Sequence, residues 1–136
     1  MRIAVIDGQG GGIGKALVEK FKKEFGSKVE IIALGTNSIA TTLMLKAGAN
    51  EGATGENAIC YNSNKVDIIF GPIGILVSNS LLGELSPKMA NKISESNAKK
   101  FLIPMNKCNV IVAGTGNKTF ADYLDDAVEF LRMELK

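Results

Sequence analysis

The spacing of apolar residues changes repeatedly along this chain. Ile3-Ala4-Val5-Ile6 is an unbroken apolar run, the mark of a strand covered on both faces. From Ile13 the spacing becomes four, through Leu17, Phe21 and Phe25, with Lys15, Glu19, Lys22 and Lys23 elsewhere on the wheel. That predicts an amphipathic helix stopped by Gly26. Val29 to Leu34 predicts a second strand and Ile39 to Ala47 a second helix closed by Gly48. Between them, Gly35-Thr36-Asn37-Ser38 is a turn whose side chains can cap free helix amides. Glu51 to Ala53 predicts a short strand, followed by a turn at Thr54-Gly55-Glu56-Asn57 and a helix to Asn62. Val66 to Phe70 is strongly apolar and ends at Gly71-Pro72-Ile73-Gly74.

The last third is less regular. Leu76 to Leu82 fits a strand and a helix equally. Ser86-Pro87 reads as an N-cap followed by proline at the first helical position, opening a helix to about Ser94. Phe101-Leu102-Ile103 and Val110-Ile111-Val112 predict two strands around Pro104 to Asn109, antiparallel if that connection is tight. Thr119 and Asp122 form a capping-box pattern at the start of the final helix, whose apolar face carries Phe120, Leu124, Val128, Leu131 and Leu135.

Strands alternating with helices predict an α/β protein. The expected fold is a Rossmann-like, three-layer α/β/α sandwich on a mostly parallel sheet, with an antiparallel strand near the C-terminus, and residues 1–136 forming one domain. With 46% hydrophobic and 22% charged residues the composition is that of a globular protein, and a formal charge of +2 gives no reason to expect a nucleic-acid partner. No stretch reaches the roughly 20 apolar residues of a membrane span. The N-terminal apolar run is too short for a signal peptide, so a cytoplasmic setting is expected. Cys60 and Cys108 lie far apart without metal-type spacing and read as reduced thiols. Histidine is absent, which excludes a Ser-His-Asp triad and a His-based zinc site.

Ligands of open parallel sheets bind beyond the carboxyl ends of the strands. Those ends gather four clusters rich in glycine and small polar residues, and together they predict a site for a phosphorylated small molecule. The candidate binding residues are Asp7, Gly8, Gly10, Gly11, Gly12, Ile13 and Gly14 in the first cluster and Thr36 and Asn37 in the second. Gly55, Glu56 and Asn57 belong to the third, and Gly71, Pro72 and Gly74 to the fourth. Glycine admits positive φ and lets a ligand approach the backbone, and a helix N-terminus adds free amides and a positive dipole end. Asp7 either accepts from loop amides or holds a ligand hydroxyl or metal. Lys15 either touches a phosphate or lies on the helix surface. Glu56 is the candidate general base. No metal-ligand set is predicted. Glu84 falls in a segment of undecided structure, and Asn106 and Asn109 suit turns beside Cys108.

The first loop resembles the cofactor turn of short-chain dehydrogenases, T-G-x-x-x-G-I-G, through Asp7-Gly8 and Gly12-Ile13-Gly14. That likeness implies that Gly8, Gly12 and Gly14 face the phosphates of NAD(P) or another nucleotide. It spans eight residues. The G-x-G-x-x-G fingerprint fails at Ile13, and no acid follows the second strand to take the ribose hydroxyls, where Gly35-Thr36-Asn37 stand instead. Glu30 is at the wrong end of that strand. Tyr61 and Lys65 have the Tyr-x-x-x-Lys spacing of those enzymes but lie in a short Asn-rich segment. Gly11 to Lys15 also resembles the GGIGK core of ParA-like ATPases. Ala16 replaces the Mg²⁺-binding Ser or Thr, however, and Gln9 the first glycine, so that ATP hydrolysis is not expected.

Over nearly its full length the chain resembles a family of short bacterial proteins catalogued as a domain of unknown function. The likeness rests on Ile6 to Lys15, Ala33 to Ser38, Gly52 to Ala58 and Gly71 to Gly74. It implies a Rossmann-like fold and a bacterial cytosolic setting, and no mechanism. Three functions stay open: a nucleotide- or dinucleotide-binding protein, an oxidoreductase-like enzyme completed by a homo-oligomer, and a structural or regulatory partner without ligand. Self-association is expected of so short an apolar chain.

Overall fold

A computed structural model describes residues 1–105 and 108–136. Its strands are β1 (Arg2–Asp7), β2 (Glu30–Gly35), β3 (Glu51–Thr54), β4 (Ile68–Pro72) and β5 (Lys99–Ile103). Its helices are α1 (Gly12–Phe25), α2 (Ser38–Lys46), α3 (Glu56–Asn62), α4 (Pro87–Glu95) and α5 (Phe120–Glu134). The strands form one sheet in the order β3-β2-β1-β4-β5, and every pairing is parallel.

The apolar runs follow from this geometry. Successive side chains on a strand point to opposite faces, so Ile3 and Val5 enter one core while Ala4 and Ile6 enter the other. Phe21, Val18 and Leu17 of α1, Ala40 and Met44 of α2, and Leu124, Ala127 and Leu131 of α5 fill the first core. Ile59 of α3 and Met89, Ala90 and Ile93 of α4 fill the second. Three layers result, with Phe21 and Phe70 at the centre of the first core, their ring centroids 4.6 Å apart.

The helix ends behave as their residues dictate. Gly26 closes α1 at φ 53°, a left-handed angle that favours glycine. Asn37 caps α2, accepting from the Ala40 amide at 2.9 Å. Ser86 caps α4 ahead of Pro87. Thr119 and Asp122 form the reciprocal capping box of α5, at 3.2 and 2.9 Å.

Two expectations need correction. Val110-Ile111-Val112 forms no strand, and among the described residues no antiparallel strand exists. β-branched residues favour extended backbone, but a strand needs a partner ladder and a surface to pack on. Ile111 is 96% exposed and has neither. The segment Leu76 to Leu82 is neither strand nor helix beyond a short 3₁₀ turn at Ile73–Leu76, and continues as turns with Asn79, Leu81 and Leu82 at positive φ. Asn106, within the predicted connection, lies outside the described residues.

Candidate functional site

Strand order reverses beside β1. Its neighbour β2 leads outward to β3 on one side, and β4 leads outward to β5 on the other. Ligand-binding crevices of open α/β sheets form at the carboxyl ends of such a strand pair. Here a cavity of about 480 Å³ lies at that place, walled by the loop from Asp7 to Ile13, by Pro72 at the end of β4, and by Leu81, Met105 and Phe120. This volume is within the range of small-molecule sites.

The loop is held by carboxylates. Asp7, only 4% exposed, accepts from the Gly8 amide through Oδ1 at 2.8 Å and from the Gly14 amide through Oδ2 at 2.6 Å. Gly14 is the third residue of α1, and the N-cap residue Gly11 has no side chain to serve it. Asp7 therefore does from the end of β1 what an N-cap side chain would do. Burial raises its pKa above the ordinary aspartate value, against the opposing bonds from Gly14 and Gly8; the nearby Glu84 charge adds to the rise.

Glu84 is the second anchor. Its Oε1 accepts from the Gln9 amide at 2.7 Å, the Thr36 hydroxyl at 2.6 Å and the Asn37 side-chain amide at 2.9 Å. Burial pushes its pKa up, but the bonds from Thr36, Gln9 and Asn37 outweigh burial and leave it below the ordinary glutamate value. One oxygen thus ties the loop after β1 to the turn after β2.

The glycines divide by cause. Gly11 has φ 72°, and a Cβ there would lie 2.8 Å from the Ala40 backbone. A Cβ at Gly14 would meet Met44 Sδ at 2.6 Å, and one at Gly8 would strike the Thr36 hydroxyl. Packing and backbone angle account for these. Gly10 and Gly12 have no positive φ, and a Cβ on either would enter open space. Among the described residues, no protein acceptor takes their amides.

Of the residues singled out from the sequence, Asp7, Gly8, Gly10, Gly11, Gly12, Ile13 and Pro72 line this cavity, and Gly14 joins them through Asp7. Thr36 and Asn37 connect through Glu84. The rest stand apart. Gly55, at φ 102°, forms the turn into α3, and Glu56 is exposed and accepts from the Ser86 hydroxyl at 2.6 Å, a tie between α3 and α4. Asn57 is exposed on α3. Gly71 is packed under β1, where a Cβ would strike the Ile6 carbonyl, and the Gly74 carbonyl is bonded by Ser80. Lys15 is half exposed, 4.0 Å from Glu19 one turn on, which is the helix-surface arrangement. Lys65 lies over the Tyr61 ring at 4.3 Å.

Sequence reading missed Leu81, Met105 and Phe120 as members of this region, named Gln9 only as part of the first cluster, and gave Glu84 no defined role. Met105 follows Pro104 just past β5, so its place at the sheet edge could have been inferred once that strand was read as parallel. Glu84 sits between Gly83 and the Ser86-Pro87 helix start, a tight turn that aims it back across the sheet edge. Nothing in its neighbours names its partners.

Fold and site together define a Rossmann-like α/β domain with a glycine-rich loop at the switch point of its sheet. The chain belongs to the family described as a domain of unknown function (DUF3842), matched over residues 2–136. No curated protein matches it. Among solved structures it is similar to a probable oxidoreductase from Mycobacterium abscessus, at 21% identity and a TM-score of 0.51, over 98% of this chain and 42% of that one. The chain therefore spans less than half of that protein. It is also similar to a dodecameric FMN-dependent UbiX-like decarboxylase from Escherichia coli O157:H7, at 18% identity and a TM-score of 0.47, over 98% of this chain and 77% of that one. At 21% identity, the first likeness speaks to the fold alone.

Proposed function

We propose that this protein binds a nucleotide or dinucleotide at the β1/β4 switch point, with phosphate against the loop from Gly8 to Gly14. The observation that carries this reading is the pair Gly10 and Gly12. Neither packing nor backbone angle requires glycine there, and both face the open space of the cavity. Glycine at such places lets a ligand reach backbone N–H groups. The other loop amides support the same division of labour, since Gly8, Gln9 and Gly14 are already bonded to carboxylates.

The electrostatics favour a ligand of low charge per phosphate. Asp7 and Glu84 bring negative charge to the loop, which opposes a terminal phosphate dianion more than the singly charged groups of a bridging pyrophosphate. A dinucleotide of the NAD(P) kind suits that balance better than a nucleoside triphosphate. Among the described side chains lining the cavity, Asp7 alone is titratable, and its two oxygens are engaged by the loop. That supports ligand binding over acid–base catalysis by this chain's own side chains.

Native mass spectrometry of freshly purified protein, alone and with AMP, ADP, NAD, NADP or FMN added, tests the reading. The expected result is a non-covalent adduct with the mass of a nucleotide, lost in the Gly12→Val variant. A folded protein that takes up none of these compounds contradicts it. The same spectrum reads the oligomeric state and so tests the expectation of self-association.

A further inference from the structure

Dinucleotide sites place a carboxylate at the end of the second strand, where it accepts hydrogen bonds from the ribose hydroxyls. Here β2 ends in Gly35, and Thr36 and Asn37 follow. A carboxylate nevertheless stands at that strand end, delivered from elsewhere in the chain. Glu84, in the turn before α4, reaches across to both residues at 2.6 and 2.9 Å and to the Gln9 amide at 2.7 Å. All three bonds fall on Oε1. Among the described residues Oε2 has no partner, and the side chain is only half buried. The group adjoins the cavity, because Gln9, Gly8 and Leu81 line it, and a Cβ on Gly8 would lie 3.0 Å from Glu84 Oε1.

We infer that Glu84 is the ribose-binding and specificity-determining residue of this site: it accepts the 2′- and 3′-hydroxyls of the bound nucleotide and rejects a ribose 2′-phosphate. The inference rests on the nucleotide-binding reading above. An ionised carboxylate with one oxygen fixed and the other open is a pure acceptor, matched to the donor protons of a vicinal diol. It repels a phosphate in the same place. Neither arginine of the chain is available to offset that repulsion. Arg2 pairs with Glu30 and Glu51 at the opposite end of the strands, and Arg132 pairs with Glu24 and Glu129 on the helical layer. The place of the strand-end acid is thus filled through tertiary structure rather than by the adjoining sequence.

Titration calorimetry with NAD, NADP and 2′-deoxy-NAD tests this, with thermal unfolding as the fold control. The wild-type protein is expected to bind NAD more tightly than NADP by about tenfold or more, because juxtaposed like charges are costly. Glu84→Gln keeps an oxygen for Thr36, Asn37 and Gln9 but removes the charge. It is expected to bring the NAD-to-NADP ratio below about threefold in a protein that still unfolds cooperatively, at a somewhat lower temperature. A ratio unaltered in that variant, or a wild-type preference for NADP, overturns the inference while leaving nucleotide binding standing. Should Glu84→Gln fail to fold, the wild-type protein decides: removing the 2′-hydroxyl must weaken binding by about tenfold, and equal affinity for NAD and 2′-deoxy-NAD overturns the assignment. If none of the three binds, the nucleotide reading itself has failed and Glu84 loses this role with it.

Discussion

Asp7 Oδ2 lies 2.6 Å from the amide of Gly14, so the last residue of the first strand caps the first helix. The bond is possible because Gly14 has no side chain; a Cβ there would lie 2.9 Å from that of Asp7. Strand, loop and helix are locked into one unit whose open face is the cavity. Replacing Asp7 with Ala strands the Gly8 and Gly14 amides near the core, and the expected loss of stability is about 1–3 kcal/mol. Urea unfolding of the variant, read as a lowered midpoint with an unchanged slope, checks it.

Gly11 and Gly12 are neighbours with opposite expected responses. Gly11→Ala places a Cβ 2.8 Å from the Ala40 backbone at φ 72°, and a loss of about 2 kcal/mol or more is expected. Gly12→Val puts its side chain into open space, so stability is expected to stay within about 0.5 kcal/mol while nucleotide binding disappears. Thermal melts and titrations of the two variants side by side separate backbone demand from ligand access.

The two loop carboxylates respond to acid with opposite signs. Glu84 has a folded pKa below its ordinary 4.5, so its contribution is present above that value and is lost as pH falls through the lower folded one. Asp7 has a folded pKa above its ordinary 3.8, so its contribution is fully present below that value and is lost as pH rises through the higher folded one. The stability gap between wild type and Glu84→Gln is therefore expected to shrink on going from about pH 7 to about pH 3.5, whereas the gap for Asp7→Asn grows. Urea midpoints at the two pH values provide the comparison.

Leu82 is 94% exposed and sits at φ 56°, a left-handed angle that costs an ordinary side chain about 1–2 kcal/mol. With no packing to offset that cost, Leu82→Gly is expected to raise stability by roughly 1 kcal/mol, less the extra chain entropy of glycine. A rise in the melting temperature is the readout. Leu81 shares the backbone angle but is buried in the second core and lines the cavity, so Leu81→Gly is expected to destabilise.

The strands and helices were legible wherever local pattern and tertiary demand agree. Ile3 to Ile6 reads as a strand because both faces of β1 are buried, and Ile13 to Phe25 as a helix because one face of α1 is. Val110 to Val112 misled because β-branching expresses a preference that only a neighbouring strand can satisfy. The glycine loop and Pro72 were visible as strand ends. Parallel topology then set the distances: β3 lies two strands from β1, which carries Gly55, Glu56 and Asn57 away from the loop. Glu84 was out of reach for a different reason. Its partners lie at 47, 48 and 75 residues' separation, and local spacing carries no trace of such a bond.

On the nucleotide-binding reading, the amides of Gly10 and Gly12, unbonded among the described residues, receive a ligand phosphate. The most direct measurement is an amide ¹H–¹⁵N NMR titration of the wild-type protein with NAD. Saturable shifts concentrated at Gly10, Gly12 and Ile13, with the Gly12→Val protein unresponsive, are the predicted result. Shifts absent from this loop, or centred on the far end of the sheet around Arg2 and Glu30, would contradict it.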